Sequence, residues 1–406
     1  MLRSTCALNV RVSDALAQTS SAGSFYYEND FGAVRASMLT RPILLFGQFA
    51  RDDLNVINEA AHQAACELSQ ADSLDQALAW LDGHEAHGIL CHSEESEQLA
   101  VQTRSRAGLS RLPVLTLSDS ITDLDFASAF SWGADDVAPL GSLRPLITRL
   151  RSLPKESPTA PVEKRGTALV AEADRTRRTT VARVLRNAGY TLRFAVTPED
   201  TEHFVADPTL ALVVVSKDLF PSAPESIQAA RAAGSQANFV LCSPPRDIKH
   251  DRAALQGVSG VKLTDSFAAP ENVLFVANEL GGAFTNNRKS PRIPYGARVA
   301  FRSAGRDSDE YGYSYNISLN GIYVRTLAPP EDDEVWLELC PPRIERHVRL
   351  VGRVAWRRPF NYNENATVPP GFGVEIIDGA ARDRALWAEG YTRLVETVGA
   401  SKFPTG

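Results

Sequence analysis

Two arginines ahead of a predicted β-strand provide the clearest chemistry in this sequence. Arg288 and Arg292 stand four residues apart, in a stretch where Pro291 and Pro294 prevent a regular helix. A guanidinium group binds a phosphate, or the O6 and N7 edge of guanine, through two parallel hydrogen bonds. Its flat face can also stack on a base. The pair therefore predicts an anionic, planar ligand.

A short polar turn adds further binding groups. Asn316, Ser318 and Gly321 lie in a stretch that joins two predicted strands. Asn316 and Ser318 offer hydrogen-bond donors and acceptors at a strand end, and Gly321 allows the backbone to bend or to approach a ligand closely. Each feature alone has a simpler explanation, because linker arginines are usually solvated and turns rich in Asn, Ser and Gly are common on surfaces.

These residues belong to a β-rich region that begins at about residue 281. Between residues 286 and 360, thirteen Lys and Arg stand against nine Asp and Glu, although the whole chain has a net charge of −6. An amphipathic helix over Ala380–Val398 could close one end of the domain. Short segments that alternate apolar and polar residues predict five or six antiparallel strands of a small barrel or sandwich, at Ala297–Ser303, Ser314–Asn316, Gly321–Thr326, Glu334–Cys340, His347–Arg357 and Gly371–Ile377.

The order of these features resembles that of the PilZ domain. The two arginines form an RxxxR motif, and the polar turn forms a [D/N]xSxxG motif about two dozen residues later. A strand pair follows, Val354-Ala-Trp356 and Gly371-Phe-Gly-Val-Glu375. The resemblance covers roughly residues 284–400 and implies a six-stranded antiparallel barrel with a C-terminal helix. It also implies that cyclic di-GMP is the ligand, bound by Arg288, Arg292, Asn316, Ser318 and Gly321.

Two blocks of alternating strands and helices precede this region. The alternation covers residues 41–153 and restarts over residues 167–283, after a proline-rich linker at 154–166. Such alternation is typical of βαβ units around a parallel sheet that helices cover on both faces. Both blocks resemble two-component receiver domains, with flavodoxin-like parallel sheets. The segments that carry this resemblance are Leu112–Ser118, Trp132–Asp136 and Ala168–Asp174.

Neither block keeps the full set of phosphorylation residues that a working receiver needs. In the first block, the positions of the acidic pair, the phosphoacceptor and the lysine hold Phe46-Gly47, His92 and Leu140. In the second block, Glu172 and Asp174 remain, but Ser216 stands at the acceptor position and Asp218 lies two residues further on. We therefore predict degenerate receivers that dock an unidentified protein partner or form a homodimer.

Composition and motifs exclude several other classes of protein. No apolar run is long enough for a membrane-spanning helix, the first residues lack a secretory signal, and the five cysteines are few and far apart, which favours a cytoplasmic location. Neither a phosphate-binding loop nor a GxSxG or HExxH motif is present, so neither an enzyme nor a cofactor is expected. His84, His87 and Cys91 have metal-ligand residue types, but a buried strand explains Cys91 better, and no metal is predicted. Trp356 and Trp387 are predicted to be core residues.

The sequence therefore predicts three folded domains, at residues 41–153, 167–283 and 284–400, between flexible tails at 1–40 and 401–406. We expect a non-enzymatic effector in which cyclic di-GMP binding reorients the receiver-like domains and regulates motility, surface attachment or the cell cycle. The net negative charge argues against DNA binding. Two alternatives stay open: a phosphorelay response protein that uses the second receiver, and a ligand-free scaffold.

Overall fold

The computed structural model describes most of the chain between residues 40 and 398. The described ranges are 40–106, 108–155, 165–266, 268–282, 290–303, 306, 308–361 and 367–398. Nearly all of the predicted tails, most of the predicted linker, and Arg288 lie outside these ranges. Within the described ranges, no helix combines the length and the apolar character needed to cross a bilayer.

The first block alternates strands with helices without interruption. Its elements are β1 (Arg41–Phe46), α1 (Arg51–Gln63), β2 (Cys66–Ala71), α2 (Leu74–Gly83), β3 (Gly88–His92), α3 (Ser96–Ser105), β4 (Val114–Ser118), α4 (Asp123–Trp132), β5 (Asp136–Pro139) and α5 (Leu143–Ser152). The strands are parallel and lie in the order β2-β1-β3-β4-β5. The central strands are almost wholly buried, because the helices cover both faces of the sheet.

The second block repeats this arrangement. Its elements are β6 (Thr167–Ala171), α6 (Arg175–Asn187), β7 (Thr191–Ala195), α7 (Pro198–Val205), β8 (Leu210–Ser216), α8 (Ala223–Ala232), β9 (Asn238–Ser243), α9 (Ile248–Ala254), β10 (Val261–Asp265) and α10 (Glu271–Leu280). The order of its parallel strands is β10-β9-β8-β6-β7. In both blocks the strand order is therefore 2-1-3-4-5, which is the flavodoxin-like order shared by receiver domains, and the predicted fold of both blocks is confirmed.

The β-rich region forms a closed barrel rather than a sandwich. Its elements are β11 (Ile293–Pro294), β12 (Arg298–Ser303), β13 (Glu310–Ser318), β14 (Gly321–Arg325), β15 (Glu334–Leu339), β16 (Val348–Arg358), β17 (Gly371–Gly379) and α11 (Ala381–Val398). Six strands close in the order β13-β12-β15-β16-β17-β14, and β14 pairs back to β13. Trp387 and Tyr391 of α11 are buried in the barrel core, so the predicted helix does pack against the barrel.

Buried ion pairs join the barrel and the two blocks. Asp135, which directly precedes β5, accepts hydrogen bonds from Arg104 in its own block (2.8 Å) and from Arg183 of α6. Arg325, at the end of β14, places Nη1 3.0 Å from Glu271 of α10, and its Nη2 donates to the backbone oxygen of Ala134 at 2.8 Å. We call these five side chains, Arg104, Asp135, Arg183, Glu271 and Arg325, the junction cluster.

A second set of polar contacts ties the barrel to the first block alone. The carboxylate of Asp136 accepts hydrogen bonds from Arg149 at 3.0 Å, Thr326 at 2.9 Å and the backbone of Leu327 at 2.8 Å. Arg149 also donates to Glu310 of β13 at 2.9 Å. Each of these groups is buried or nearly so, and each charge has a partner. These contacts therefore attach the barrel to the first block through buried, paired charges.

Candidate ligand-binding face

Strand β11 brings the second predicted arginine beside the predicted polar turn. Ile293 pairs with Ile317 and Pro294 pairs with Asn316 in antiparallel register. Continuing this register by one residue brings Arg292 opposite Ser318. Ile293 and Ile317 both belong to the barrel core. Because side chains alternate along a strand, Arg292, Asn316 and Ser318 belong to the outer face of the barrel. We call this surface the outer face; Arg288 lies outside the described residues.

The C-terminal helix and a neighbouring strand hold the arginine segment in place. The hydroxyl of Tyr391 in α11 donates to the backbone oxygen of Pro291 at 2.8 Å. The hydroxyl of Tyr295 donates to the backbone oxygen of Cys340 at 2.9 Å. Proline has no backbone N–H to donate, so Pro294 is compatible with a strand at the edge of the sheet but not with a central strand. The chain on both sides of Arg292 is thus anchored in the described structure.

The polar turn is a tight hairpin supported from two sides. Ser318 pairs with Gly321 across two residues, Leu319 and Asn320. The indole Nε1 of Trp387 donates to the backbone oxygen of Leu319 at 2.9 Å. The backbone N–H of Ile376 donates to the backbone oxygen of Asn320, also at 2.9 Å. Loss of conformational freedom on ligand binding should therefore be small at this turn.

Gly321 is required by close packing of strands rather than by a bend. A Cβ atom at this position would lie 2.7 Å from the backbone oxygen of Val374 in β17. Gly321 has no positive φ, since the glycines of the described chain with that conformation lie elsewhere. The glycine is therefore explained by close packing and not by a left-handed backbone conformation. Its close approach is to a neighbouring strand.

An aromatic row continues the outer face away from Asn316. In register, Asn316 lies opposite Tyr323, Tyr323 opposite Gly373, and Gly373 opposite Trp356. The rings of Tyr323 and Trp356 stack at 4.8 Å across Gly373, where a Cβ atom would overlap the indole. Trp387 is a core residue as predicted, but Trp356 is 36% exposed, so its assignment to the core is wrong.

The hydroxyl of Tyr323 fixes this row against the chain beside it. It donates to the backbone oxygen of Pro369 at 2.6 Å. Burial raises the pKa of Tyr323, so the phenol stays protonated and remains a donor at neutral pH. Tyr323 itself is buried against the second block, so Trp356 is the exposed ring of this row.

The acidic pair of the second block is already occupied by the protein's own groups. The Oε2 atom of Glu172 lies 3.3 Å from Nε of Arg177, and Asp174 caps α6 by accepting from the backbone N–H of Arg177 at 2.7 Å. Ser216 ends β8, and Asp218 lies in a short 3₁₀-helix, Lys217–Leu219. Both carboxylates of this pair therefore interact with Arg177 of α6. Over the ranges that the structure describes, no cluster of three or more metal-ligating side chains occurs.

The β-barrel, its motifs and its terminal helix agree with a comparison to protein families. Residues 286–389 match the family model described as the PilZ domain. Residues 286–389 are a PilZ domain. This family consists of cyclic di-GMP receptors without catalytic activity, and the resemblance predicted from the two motifs is confirmed. No curated protein matches the chain in sequence.

Several solved structures are similar to parts of the chain. The inhibitor of motility MotI/DgrA of Bacillus subtilis is 20% identical over 28% of this chain and 53% of its own, with a TM-score of 0.22. The PilZ domain of CeSA from a cellulose-synthesizing bacterium is 19% identical over 27% of this chain and 99% of its own, with a TM-score of 0.20. The chemotaxis response regulator CheY4 of Vibrio cholerae is 14% identical over 24% of this chain and 84% of its own, with a TM-score of 0.23. The chain spans about half of the MotI/DgrA structure.

The chemistry of the outer face fits a cyclic dinucleotide. The guanidinium of Arg292 suits a phosphate or a guanine edge, and Ser318 supplies a hydroxyl in the adjacent strand. The amide of Asn316 belongs to the same strand, but this residue is only 5% exposed. Sequence reasoning missed the aromatic row and the junction cluster. One feature of the sequence could have indicated the cluster. The adjacent acidic residues Asp135 and Asp136 stand at the start of a buried strand, β5.

Proposed function

We propose that the PilZ domain of this chain binds cyclic di-GMP on the outer face. Arg288 and Arg292 bind phosphates and guanine edges, Asn316 and Ser318 line the guanine site, and Gly321 keeps the hairpin close to β17. The observation that supports this proposal most is the pairing of β11 with β13, because Ile293 and Ile317, which pair, are the direct neighbours of Arg292 and Ser318. The hydrogen bond from Trp387 to the hairpin supports the proposal further. Because the hairpin is already ordered, it needs little rearrangement to bind a ligand.

We further propose that ligand binding changes how the barrel sits on the receiver-like domains. Strand β14 begins at Gly321 in the ligand site and ends at Arg325 in the junction cluster. A displacement of this strand would alter contacts with both α/β blocks. The ligand can shift the arrangement only by as much as its affinities for the two arrangements differ. The receiver-like domains would then expose or hide surfaces that dock a protein partner, and so regulate motility, surface attachment or the cell cycle without catalysis.

Calorimetric titration of the full chain with cyclic di-GMP tests the binding. We expect micromolar or tighter affinity at low salt. Arg292→Ala should lower the affinity by at least about tenfold, since a hydrogen bond to a charged group contributes ~1.5–3 kcal/mol. Arg302→Ala is the matched control, because Arg302 is an arginine of the same barrel that stacks on Trp336 on another strand. Absence of binding by the parent chain would refute the function, and an unchanged Arg292→Ala variant would refute the site.

Small-angle X-ray scattering with and without saturating ligand tests the second step. A change in the scattering profile that is lost in Arg292→Ala is the expected result. Identical profiles at confirmed saturation would contradict the reorientation while leaving the binding proposal intact.

A further inference from the structure

A β-bulge in β13 turns the residue beside the predicted ligand motif toward the second block. Ser314 pairs with Val324 and Asn316 pairs with Tyr323, so Tyr315 is the extra residue of β13 at this point. A bulge leaves one residue out of the ladder and changes the direction of its side chain. Tyr315 accordingly packs with buried residues of α10 rather than with the core of the barrel.

Helix α10 holds this tyrosine by its hydroxyl and by its ring. The hydroxyl of Tyr315 donates to the backbone oxygen of Glu271, the first residue of α10, at 2.8 Å. Its ring meets the ring of Phe275 edge to face, with the centroids 6.0 Å apart. Tyr315 is buried, and burial raises the pKa of its phenol. The hydroxyl therefore stays protonated and remains a donor at neutral pH.

A second connection joins α10 to Tyr323, which also lies beside Asn316. The hydroxyl of Tyr323 donates to the backbone oxygen of Pro369 at 2.6 Å. Two residues earlier in the same segment, the backbone oxygen of Thr367 accepts a hydrogen bond from the side chain of Asn278 in α10 at 2.8 Å. Both aromatic neighbours of Asn316 are therefore connected to the same helix of the second block.

Asn316 itself is almost inaccessible in this arrangement. The residue is 5% exposed, although the proposed function requires its amide to contact guanine. A ligand can therefore reach this amide only when neighbouring groups move. Tyr315 precedes Asn316 in the chain and Tyr323 is its partner across the hairpin, so these are two neighbours whose positions depend on α10.

We propose that the contact of α10 with the barrel is autoinhibitory. While α10 holds Tyr315 and Tyr323, Asn316 stays covered and cyclic di-GMP binds more weakly. This inference rests on the proposed function, because it concerns the same site. When only a fraction of a protein is in its binding-competent arrangement, the apparent affinity falls by that fraction. Because coupling between two sites is reciprocal, ligand binding in turn loosens α10.

Calorimetric titration of variants of the full chain with cyclic di-GMP tests the autoinhibition. Tyr315→Phe removes only the hydroxyl that binds Glu271, and Asn278→Ala removes the hydrogen bond to Thr367. Each should tighten ligand binding about twofold to tenfold, the factor by which the loss of one hydrogen bond shifts an equilibrium. Because Asn278 belongs to the second block, its effect on affinity would pass through the contact of α10 with the barrel. If one variant does not fold, the other still provides the test.

Thr201→Val is the matched control, because it removes another buried hydroxyl of the second block. Thr201 of α7 is fully buried, and its hydroxyl donates to the backbone oxygen of Thr197 at 2.7 Å. This bond lies within the second block and does not involve the barrel. Its loss should leave the ligand affinity unchanged.

Hydrogen–deuterium exchange of the parent chain measures the reciprocal effect. Saturating cyclic di-GMP should speed the exchange of backbone amides in α10 and leave those of α7 unchanged. Ligand affinities that are unchanged or weaker in both Tyr315→Phe and Asn278→Ala, or α10 amides that exchange no faster at saturation, would overturn the autoinhibition. Absence of binding by the parent chain and both variants alike would instead refute the proposed function, and this inference with it.

Discussion

Several glycines in the barrel allow close approach of strands and rings that no other residue would permit. Gly321 lies against the backbone of Val374, and Gly373 lies beneath the indole of Trp356. Gly352 faces the side chain of Val374 in the same way. At the residue scale, the shape of the outer face therefore depends on the absence of a Cβ atom at Gly321 and Gly373, and the packing of the barrel core depends on its absence at Gly352.

Gly321→Ala should destabilise the chain and weaken ligand binding together. Its Cβ atom would lie 2.7 Å from a backbone oxygen, which cannot move aside as a flexible side chain could. Overpacking of this kind lowers the free energy of unfolding by about 1–3 kcal/mol, measurable by urea denaturation. Gly83→Ala is the control, because a Cβ atom there meets nothing within 4 Å. Equal stability of the two variants would contradict the packing argument.

At the scale of elements, the sequence predicted the strands in the middle of each sheet and missed several at the edges. The buried runs of β1, β3, β4, β6, β8 and β9 are apolar enough to be recognised. Strands β2, β7 and β10 lie at sheet edges and contain few buried residues. Their apolar pattern in the sequence is therefore weak. In the candidate site, the resemblance to the PilZ domain implied that Arg292 and Ser318 share a ligand. The Tyr323–Trp356 stack depends on pairing of distant strands, which spacing cannot reveal.

The second receiver-like block should not accept a phosphoryl group from acetyl phosphate and Mg²⁺. Glu172 is paired with Arg177, and no aspartate stands at the end of β8. Intact mass spectrometry of the full chain after incubation should show an unchanged mass. A mass increase that is lost in Asp218→Asn would instead support the phosphorelay alternative.

At the scale of the whole molecule, the junction cluster joins three domains through two buried carboxylates, Asp135 and Glu271. Asp135 is 3% exposed and is shared between an arginine of its own block and one of the second block. Removal of one member of a buried ion pair leaves the other charge without compensation. The domains should therefore lose stability together rather than separately.

Asp135→Asn should lower the free energy of unfolding by about 3–5 kcal/mol, since it leaves two buried guanidinium groups with a neutral partner. Urea denaturation of the full chain measures this change. Asp119→Asn, at an exposed position in the same block, should leave the stability nearly unchanged. A comparable effect of both substitutions would show that the junction cluster is not the cause.

The contribution of Asp135 should also depend on pH. Burial alone would raise the pKa of this carboxyl, but the guanidinium groups of Arg183 and Arg104 outweigh burial and lower the pKa. Its stabilisation is then complete above the unfolded pKa of about 3.9 and is lost as pH falls through the lower folded pKa. The difference in stability between the parent chain and Asp135→Asn should shrink on acidification below about pH 4. A difference that grows over this range would refute the assignment.

Strand β11 has a consequence for contacts between molecules. It lies at the edge of its sheet and contains Pro294, with Pro291 just before it. Exposed edge strands recruit strands from other chains, and proline interrupts such recruitment because it offers no N–H to a new neighbour. The rim that carries Arg292 is thereby protected from intermolecular strand addition and from the aggregation that follows it.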